Sequence, residues 1–413
     1  MDLDAVPQPA LEEIERVQGA DLVVGVVGSA ANGRSAAAAA LVRSALESLP
    51  HPARTVLLVD DRAGESRLED QQSLLILFCS LSNPASAAVS PDSTFSPYKT
   101  IFGIGRRIGA RACAVVASDL QTVNPAWIVA LAGPVLDMEF DLVTPRYVRH
   151  KWEGLINRSI LSPLGRALYG KRIQNPLGPD LGISGRLLKS ILEGQEMPRS
   201  AGAHPVASIL STAVRGNFQI CEAQVGARAQ TPPDWMNLSS VLAQILGPVF
   251  LDVERNATTW QRVRGSQAVP VFGKAESAAQ EGGPVDAGRL IDSFQLGAKN
   301  LQDVWGLVLP PTVLLEIRKL SRLPPEQFRM SDDIWVSIVY DFALAHRIRT
   351  INRDHLLRSF TPLYLGWIAS YALEMEAAGS FELESRLDRL ARAYEASKAY
   401  LVSRWRWPDR FNP

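Results

Sequence analysis

The sequence predicts an α/β fold, with a mainly parallel sheet flanked by helices and a helical C-terminal region. Three observations lead to this fold class. Short apolar runs rich in valine are continuous and do not alternate with polar residues, which is typical of strands buried on both faces. Helical stretches separate these runs, so the strands are predicted to be joined by crossovers that cover the sheet. From Leu238 onward, most segments have the spacing of helices.

The predicted strands of the first part are the apolar runs at residues 21–28, 54–59 and 112–117. The first run ends in the turn from Gly28 to Gly33, the second in Asp60, and the third in Ser118 and Asp119. A helical stretch from about Tyr98 to Ile108 separates the second run from the third. Polar residues at the carboxyl ends of parallel strands converge on a crevice where ligands bind. We therefore expect a nucleotide-type binding edge that contains the glycine turn and the two acids.

The second part of the chain is predicted to be helical at residues 238–250, 286–301, 332–347, 362–377 and 381–405. The character of the sequence changes near Pro232 and Pro233. We therefore predict one domain at residues 1–235 and a helical region at residues 236–413. Residues 264–284 are rich in Gly, Ser, Ala and Gln and have no clear period, which predicts a surface loop.

Composition and charge exclude several classes of protein. The 413 residues include 43 Lys plus Arg and 43 Asp plus Glu, whereas a domain that holds nucleic acid through its phosphates is expected to be clearly basic. The three cysteines lack the spacing of a disulfide framework or a zinc site and are predicted to be buried thiols. The acidic start and the short apolar runs differ from a signal peptide and from a membrane span. We expect a cytoplasmic protein.

Two acids at strand ends are candidates for ligand contacts, and each has an ordinary alternative. Asp119 is placed to bind magnesium or manganese, which prefer carboxylate oxygen and bridge to a diphosphate. It is equally placed to cap the helix that is predicted to begin near Asn124 and Pro125. Asp60 is placed to accept hydrogen bonds from a ribose or a base, or to be a solvated acid at the end of a strand.

The glycine turn separates two hypotheses about nucleotide binding. Residues Gly28 to Gly33, with Asn32 among them, would let backbone amides approach a nucleotide closely. The Gly-x-Gly-x-x-Gly pattern of dinucleotide folds is absent, since the glycines here are Gly25, Gly28 and Gly33. A nucleotide-dependent oxidoreductase is therefore the weaker hypothesis.

Three further segments carry charge. Lys99 begins a helix and is placed either to neutralise a phosphate or to be a solvated lysine. The run Arg146-Tyr-Val-Arg-His-Lys-Trp152 has two arginines, a histidine and a lysine, which suit an anionic acceptor but equally a solvated edge strand. Asp180 is the single carboxylate of the turn-rich loop from Asn175 to Ser184, which holds it either in a site or in a plain turn.

Taken in order, these segments resemble the retaining glycosyltransferases of the mannosylglycerate synthase and glucosyl-3-phosphoglycerate synthase type, which have a GT-A fold. The resemblance covers most of the chain. It is strongest from Gly109 to Ser184, in "GARACAVVASDLQTVNPAWIVALAGPVL" and "DLVTPRYVRHKWEGLINRSILSPLGRALYGKRIQNPLGPDLGIS". The later segments "DDIWVSIVYDFALAH" and "TPLYLGWIASYALEME" resemble the C-terminal region of the family.

The resemblance implies roles for single residues. Asp119 matches the second acid of the family's metal-binding Asp-x-Asp, so the implied cofactor is a divalent metal, magnesium or manganese. Asp60 would bind the nucleoside and Lys99 the phosphate region. Asp180 would face the sugar or the acceptor. Arg149, from the basic run, is predicted in addition to hold the anion of the acceptor.

The chain departs from the family pattern at the implied metal site. Ala117 stands in place of the first acid of the Asp-x-Asp, and Gln230 stands where the family has a metal-binding histidine. An amide oxygen is a poorer ligand for a transition metal than imidazole, although it suits a hard cation. Val206 stands where the family has an acidic residue. These changes permit a relative that has lost catalysis.

The predicted function is the transfer of a hexose from a nucleotide-sugar donor, of the GDP-mannose or UDP-glucose type, to a small anionic acceptor with retention of configuration. The alternative is a catalytically degenerate glycosyltransferase-like protein that binds or regulates. The expected partners are the donor and the small acceptor, with no nucleic acid and no membrane span. A homodimer stays open.

Overall fold

The computed structural model describes residues 11–12, 14, 16–17, 19–27, 34–49, 54–60, 67–71, 74–79, 81, 96–117, 124–193, 206–227, 238–274 and 285–408. The chain divides into two compact units. Unit 1 contains Met1–Val148, Ile173–Ala229 and Val269–Ala278, and unit 2 contains Arg149–Arg172, Gln230–Ala268 and Ala279–Pro413. Each unit is thus assembled from three separate stretches of chain. The domain boundary at residue 235 stays a prediction.

The strands are β1 (Leu22–Val27), β2 (Thr55–Asp60), β3 (Arg67–Gln71), β4 (Leu74–Cys79), β5 (Ala112–Ala117), β6 (Leu142–Val148), β7 (Lys171–Arg172), β8 (Leu181–Ser184), β9 (Ile220–Ala227), β10 (Gln267–Ala268) and β11 (Val271–Phe272). Short β7 and β10 pair with each other in unit 2. The other strands form one sheet in unit 1, in the order β11-β9-β6-β8-β5-β1-β2-β4-β3 among the residues described.

The helices are α1 (Arg34–Glu47), α2 (Ser96–Arg107), α3 (Pro125–Asp137), α4 (Ser162–Tyr169), α5 (Gly185–Glu193), α6 (Ile209–Arg215), α7 (Leu238–Arg255), α8 (Ala257–Trp260), α9 (Ala287–Asn300), α10 (Gln302–Gly306), α11 (Pro311–Leu320), α12 (Asp332–Ile348), α13 (Arg353–Ser359), α14 (Thr361–Met375), α15 (Ser380–Ala396) and α16 (Lys398–Arg406). A π-helix at Asn157–Leu161 precedes α4, and a 3-10 turn at Pro325–Gln327 precedes α12.

The predicted fold class is confirmed: a largely parallel sheet is flanked by helices, and the C-terminal part is helical. Strands β5, β1, β2 and β4 run parallel to one another, as do β6, β9 and β11. Strand β8 lies antiparallel between β5 and β6, and β3 is antiparallel at the edge. The carboxyl ends of the parallel strands therefore lie at one edge of the sheet.

Helices cover both faces of this sheet, which is why its strands read as continuous apolar runs. On one face, α1 and α3 pack on a core that includes Val24 of β1 and Trp127 of α3. On the other face, α2 lies so close to β1 that a Cβ atom on Gly25 would overlap the side chain of Ile101. Gly25 is thus a packing glycine of the strand interior.

Unit 2 is built around aromatic rings. Trp335 of α12 lies 5.6 Å from Trp367 and 5.5 Å from Phe360, measured between ring centroids. The indole nitrogen of Trp335 and the hydroxyl of Tyr394 both donate to the carbonyl oxygen of Ser159 in the π-helix. A π-helix leaves carbonyl groups outside the regular α-helical ladder, and these two side chains satisfy one of them.

The structure adds a buried strand to the predicted elements and corrects two predictions. The run at Leu74–Cys79 was not assigned to any element, yet it is the buried strand β4 beside β2. Residues 264–284 are not simply a loop, because β10 and β11 lie within them and Phe272 packs 5.3 Å from Phe140. The single helix expected at residues 381–405 is two helices, which separate at Ser397.

Candidate functional site

Three neighbouring strands place the candidate segments at one edge of the sheet. The last residues of β5, β1 and β2 are Ala117, Val27 and Asp60, and the three strands are adjacent and parallel. The segments that follow them in the chain therefore begin at the same carboxyl edge. Gly28, Asn32 and Asp119 belong to these segments but lie outside the described residues, as does Gln230 beyond β9. The side chain of Asp60 is also outside them.

The described residues do not by themselves fit a divalent metal. No group of three or more His, Cys, Asp or Glu side chains in the described part of the chain is arranged to hold one. Ala117 brings a methyl group to the strand end where the family pattern has an acid, and a methyl group is no ligand. The metal roles of Asp119 and Gln230 stay predictions.

Asp180 is completely buried just before β8, with 0% of its surface exposed. Its Oδ1 accepts a hydrogen bond of 2.7 Å from the backbone N–H of Ala117, and its Oδ2 accepts one from the hydroxyl of Tyr147. A buried carboxylate requires such charge-assisted hydrogen bonds because it has lost its water. Both oxygens are therefore engaged by protein groups, and the predicted contact with sugar or acceptor stays a prediction.

The first turn of α2 presents Lys99 from an anchored backbone. The hydroxyl of Tyr98, which is buried, donates to the carbonyl oxygen of Pro179 at 2.7 Å. The hydroxyl of Thr100 donates to the carbonyl oxygen of Leu81 at 2.9 Å. Lys99 itself is half-buried. Because both neighbours of Lys99 are held by hydrogen bonds, its backbone has a defined position. The bond from Tyr98 also ties this first turn of α2 to the loop that carries Asp180.

The start of α3 bears on the alternative that Asp119 caps this helix. Helix α3 begins at Pro125, and Asn124 occupies its N-cap position with extended backbone angles. Asn124 thus occupies the N-cap position that was one alternative for Asp119, although its side chain makes no capping hydrogen bond among the described residues. The structure gives no other account of Asp119, which is outside the described residues.

The basic run at residues 146–152 is divided between the two units. In unit 1, Arg146 lies on β6, which is an interior strand between β8 and β9, so the solvated edge strand is wrong. The guanidinium of Arg146 is 3.5 Å from a carboxylate oxygen of Glu222, which is buried and also accepts the backbone N–H of Gln174. Burial raises the pKa of Glu222, against the opposing effects of Gln174 and Arg146.

In unit 2, the remaining basic residues have distinct tasks. Lys151 donates to the carbonyl oxygens of Met375 and Glu376, at 2.8 and 2.6 Å, and so caps the end of α14. Partial burial lowers the pKa of His150 and so favours its neutral imidazole, against the opposing effect of Glu153. The predicted role of Arg149, that of holding an anion, stays a prediction.

Arg158 is hydrogen-bonded to the backbone of residues 149–151. Its guanidinium donates to the carbonyl oxygens of His150 at 2.9 Å, Lys151 at 3.4 Å and Arg149 at 3.5 Å. Burial lowers the pKa of Arg158 from its usual value, yet an arginine stays charged at neutral pH. A half-buried cation therefore fixes three successive carbonyl groups of the segment that carries Arg149.

The sequence reasoning missed Tyr98, Tyr147, Arg158 and Glu222. Two of them left a signal that was available: Arg158 is a lone arginine in the apolar run "LINRSIL", and Glu222 is a lone acid in a buried strand. Charges in such places need partners, so each predicts a hydrogen-bond network. The tyrosines left no comparable signal, because their hydroxyl partners come from distant parts of the chain.

No helix within the described residues is both long enough and apolar enough to cross a membrane.

All three cysteines are buried free thiols, as predicted.

No protein-family model and no curated protein matches the sequence. Among solved structures, the chain is similar to glucosyl-3-phosphoglycerate synthase from Mycobacterium tuberculosis in complex with phosphoglyceric acid, at 18% identity over 60% of this chain and 85% of that chain, with a TM-score of 0.36. It is also similar to the same synthase in complex with Mn²⁺, uridine-diphosphate-glucose and phosphoglyceric acid, at 19% identity over 61% and 86%, with a TM-score of 0.36. Mannosyl-3-phosphoglycerate synthase from Rubrobacter xylanophilus matches at 14% identity over 63% and 83%, with a TM-score of 0.43.

Proposed function

We propose that the protein is a glycosyltransferase that moves a hexose from a nucleotide-sugar donor of the GDP-mannose or UDP-glucose type to a small anionic acceptor, with retention of configuration. The observation that carries the proposal is the shared edge at which Val27, Asp60 and Ala117 end adjacent parallel strands. Ligands of open α/β sheets bind outside this edge. The family resemblance supplies the chemical class of the ligand.

In this proposal, each candidate residue has one task. The turn of Gly28 and Asn32 receives the nucleotide, and Asp60 accepts hydrogen bonds from the nucleoside. Lys99 stabilises the departing phosphates as a compact positive charge. Arg149 holds the anion of the acceptor, with its backbone supported by Arg158.

Magnesium or manganese remains part of the proposal through Asp119 and Gln230, and when bound it would neutralise charge on the diphosphate. The transfer itself is derived from the chain's own groups. The bond between the anomeric carbon of the sugar and the diphosphate oxygen breaks, and the acceptor oxygen bonds to the same face of that carbon. The products are the glycosylated acceptor, the nucleoside diphosphate and the proton of the acceptor hydroxyl. Such a reaction needs positioning and charge stabilisation more than a strong base.

A second candidate function is a binding or regulatory protein that keeps the scaffold without turnover. Ala117 favours it, because its methyl group cannot bind a metal at the strand end where the family pattern has a metal-binding acid. The two candidates differ in one respect: both bind a nucleotide sugar, but one alone consumes it.

The experiment that tests the proposal measures release of nucleoside diphosphate. The full chain is incubated with GDP-mannose or UDP-glucose, with phosphoglyceric or glyceric acid, and with or without Mn²⁺. We expect release that needs one donor and one acceptor, and a product whose anomeric configuration is retained by NMR. Asp119→Ala is expected to lower the rate by about 100-fold or more. Asp137→Ala, an exposed acid at the far end of α3, serves as the control that keeps activity.

Binding is followed in parallel by thermal shift, since a ligand of the folded state raises the melting temperature by mass action. A donor that raises the melting temperature but is never consumed would favour the second candidate. If no nucleotide sugar is bound or consumed, both candidates are wrong.

A further inference from the structure

We propose that Asp180 is a positioning residue of the carboxyl edge, which acts through the backbone of β5 and the side chain of Tyr147 and does not contact the sugar. The inference rests on the proposed glycosyltransferase for the reaction that it serves. It replaces the direct sugar or acceptor contact that the family resemblance implies for this residue.

The first step concerns a gap in the sheet. Strand β8 lies between β5 and β6, but it is only four residues long and begins at Leu181. Its pairing with β5 stops at Val115, and its pairing with β6 stops at Val143. Both β5 and β6 continue beyond these pairs toward the carboxyl edge. The two strand ends would therefore lack a partner strand between them.

Asp180 fills this gap with a side chain. It directly precedes Leu181, and its two carboxylate oxygens accept from Ala117 on β5 and from Tyr147 on β6. With none of its surface exposed, the carboxylate has exchanged water for these donors. One side chain thus continues the link between the strands after the backbone ladder has ended.

The second step concerns the segment that carries Asp119. It leaves the sheet at Ala117 and rejoins described structure at the start of α3, where Trp127 is buried. The ring of Trp127 lies 5.7 Å from the ring of Tyr147, between centroids. Asp180 therefore holds one end of the segment, at Ala117, and Tyr147 packs against the other end, at Trp127. Asp180 and Tyr147 are themselves hydrogen-bonded to each other.

The third step concerns Lys99. The residue before Asp180 is Pro179, whose carbonyl oxygen accepts the hydroxyl of Tyr98 at 2.7 Å. The loop that places Asp180 therefore also anchors the first turn of α2. The segment of Asp119 and the helix start of Lys99 share one buried anchor, although no catalytic contact is assigned to it.

A positioning role and a direct role make different demands on the carboxylate. In Asp180→Asn, the amide oxygen still accepts from Ala117, and the amide NH₂ donates to the oxygen of Tyr147, so both links survive without charge. In Asp180→Ala, both links are lost. A residue that contacts the sugar through its negative charge would instead fail in both variants.

The test compares kcat and KM for donor consumption in Asp180→Asn, Asp180→Ala and Tyr147→Phe, each in the full chain. We expect kcat of Asp180→Asn within about fivefold of the wild type. We expect Asp180→Ala to lose about 100-fold in kcat, since a displacement near 1 Å has this effect on positioned groups. Tyr147→Phe keeps the ring on Trp127 and removes one link, so it is expected to lie between the two and to fold if Asp180→Ala does not.

The second measurement needs no activity. Hydrogen exchange of the Ala117 amide, followed by residue-resolved NMR, reports the link itself. We expect exchange to become at least about tenfold faster in Asp180→Ala and to change little in Asp180→Asn. The matched control is Asp141→Ala, which removes a buried carboxylate from the opposite edge of the same strands. It is expected to lower the melting temperature while leaving Ala117 exchange and kcat per folded molecule unchanged.

The outcomes separate the two proposals. Equal loss of kcat in Asp180→Asn and Asp180→Ala, with Ala117 exchange unchanged in both, overturns the positioning role. A wild-type protein that consumes no nucleotide sugar overturns the proposed function, and the exchange data then decide by themselves whether Asp180 holds the strand end.

Discussion

Two buried aspartates lie at opposite edges of the same sheet. At the carboxyl edge, Asp180 accepts from Ala117 and Tyr147. At the amino edge, Asp141 precedes β6 and accepts from the hydroxyl of Ser184 at 2.7 Å and from the backbone N–H of Gln219 at 3.0 Å. Both carboxylates therefore join neighbouring strands at an edge of the sheet.

The two edges differ in what surrounds the carboxylate. Asp141 also pairs with Arg186, whose side chain is 67% exposed, so the amino edge opens to solvent through a salt bridge. There Ser184 accepts the N–H of Leu187, and the acid thus helps to begin α5. At the carboxyl edge, Asp180 contacts Ala117 and Tyr147. In the chain, Ala117 precedes the segment of Asp119, and Tyr147 precedes Arg149. The comparison teaches that the same residue type is used at both edges of the fold, with an exposed arginine as partner at one edge and with buried donors at the other.

The largest expected effect on stability comes from a substitution at the amino edge, where the backbone is closely packed. Gly185 begins α5, and a Cβ atom there would overlap the carbonyl oxygen of Ala110, which belongs to the rigid backbone. We expect Gly185→Ala to lower the free energy of unfolding by about 3 kcal/mol. At the carboxyl edge, a Cβ on Gly178 would lie 3.3 Å from the ring of Pro145. Gly178→Ala is expected to lower it by less than about 1 kcal/mol. Urea unfolding measures both, and equal losses would contradict the contrast.

An intermediate effect concerns Glu222, a buried acid in the middle of β9. Burial raises its pKa in the folded protein above the value of an unfolded chain. The folded state therefore binds more protons in the window between these two pKa values, and its stability falls as pH rises through that window. Glu222→Gln removes this contribution and still accepts the N–H of Gln174.

Urea unfolding from pH 4 to 8 tests this prediction by the difference between Glu222→Gln and the wild type. We expect the variant to gain stability relative to the wild type as pH rises. Glu69→Gln, on the edge strand β3, is measured alongside as the matched substitution. A difference that stays constant with pH would show that Glu222 does not titrate in this range.

The smallest effect concerns the exposed partner at the amino edge. Arg186→Ala removes the salt bridge to Asp141 but leaves the hydrogen bonds from Ser184 and Gln219. Exposed ion pairs contribute little, so we expect a loss of about 0.5 kcal/mol in the free energy of unfolding. The measurement is urea unfolding at low and high salt. A loss as large as that of Asp141→Ala would mean that the arginine, and not the buried donors, sustains this edge.

Much of the fold was predictable because its elements have strong local signals. The runs that became β1, β2 and β5 are continuous and apolar, and α12 and α14 begin and end within a few residues of their predicted bounds. Strand β4 was missed although its run is equally apolar, since nothing local separates a short strand from a buried helix segment. Strand β8 has four residues, too few for any period to be visible.

The candidate site was predictable in part. The placement of Val27, Asp60 and Ala117 at one edge follows from parallel strands, which the sequence predicts. The solvated edge strand, one of two alternatives for the run around Arg146, is wrong because β9 and β11 extend the sheet beyond β6 and bury it. Strand order depends on long-range pairing, and a single sequence does not state it.

By itself, the sequence determined the α/β class, the strand ends and the acids that follow them, because apolar periodicity and turn residues act over a few positions. The tertiary structure alone decided that Asp180 is buried between Ala117 and Tyr147. These three residues are far apart in the chain and meet only when an antiparallel strand is placed between two parallel ones. A carboxylate has the same local signal in a ligand site and in a buried link, and the donors that surround it after folding make the difference.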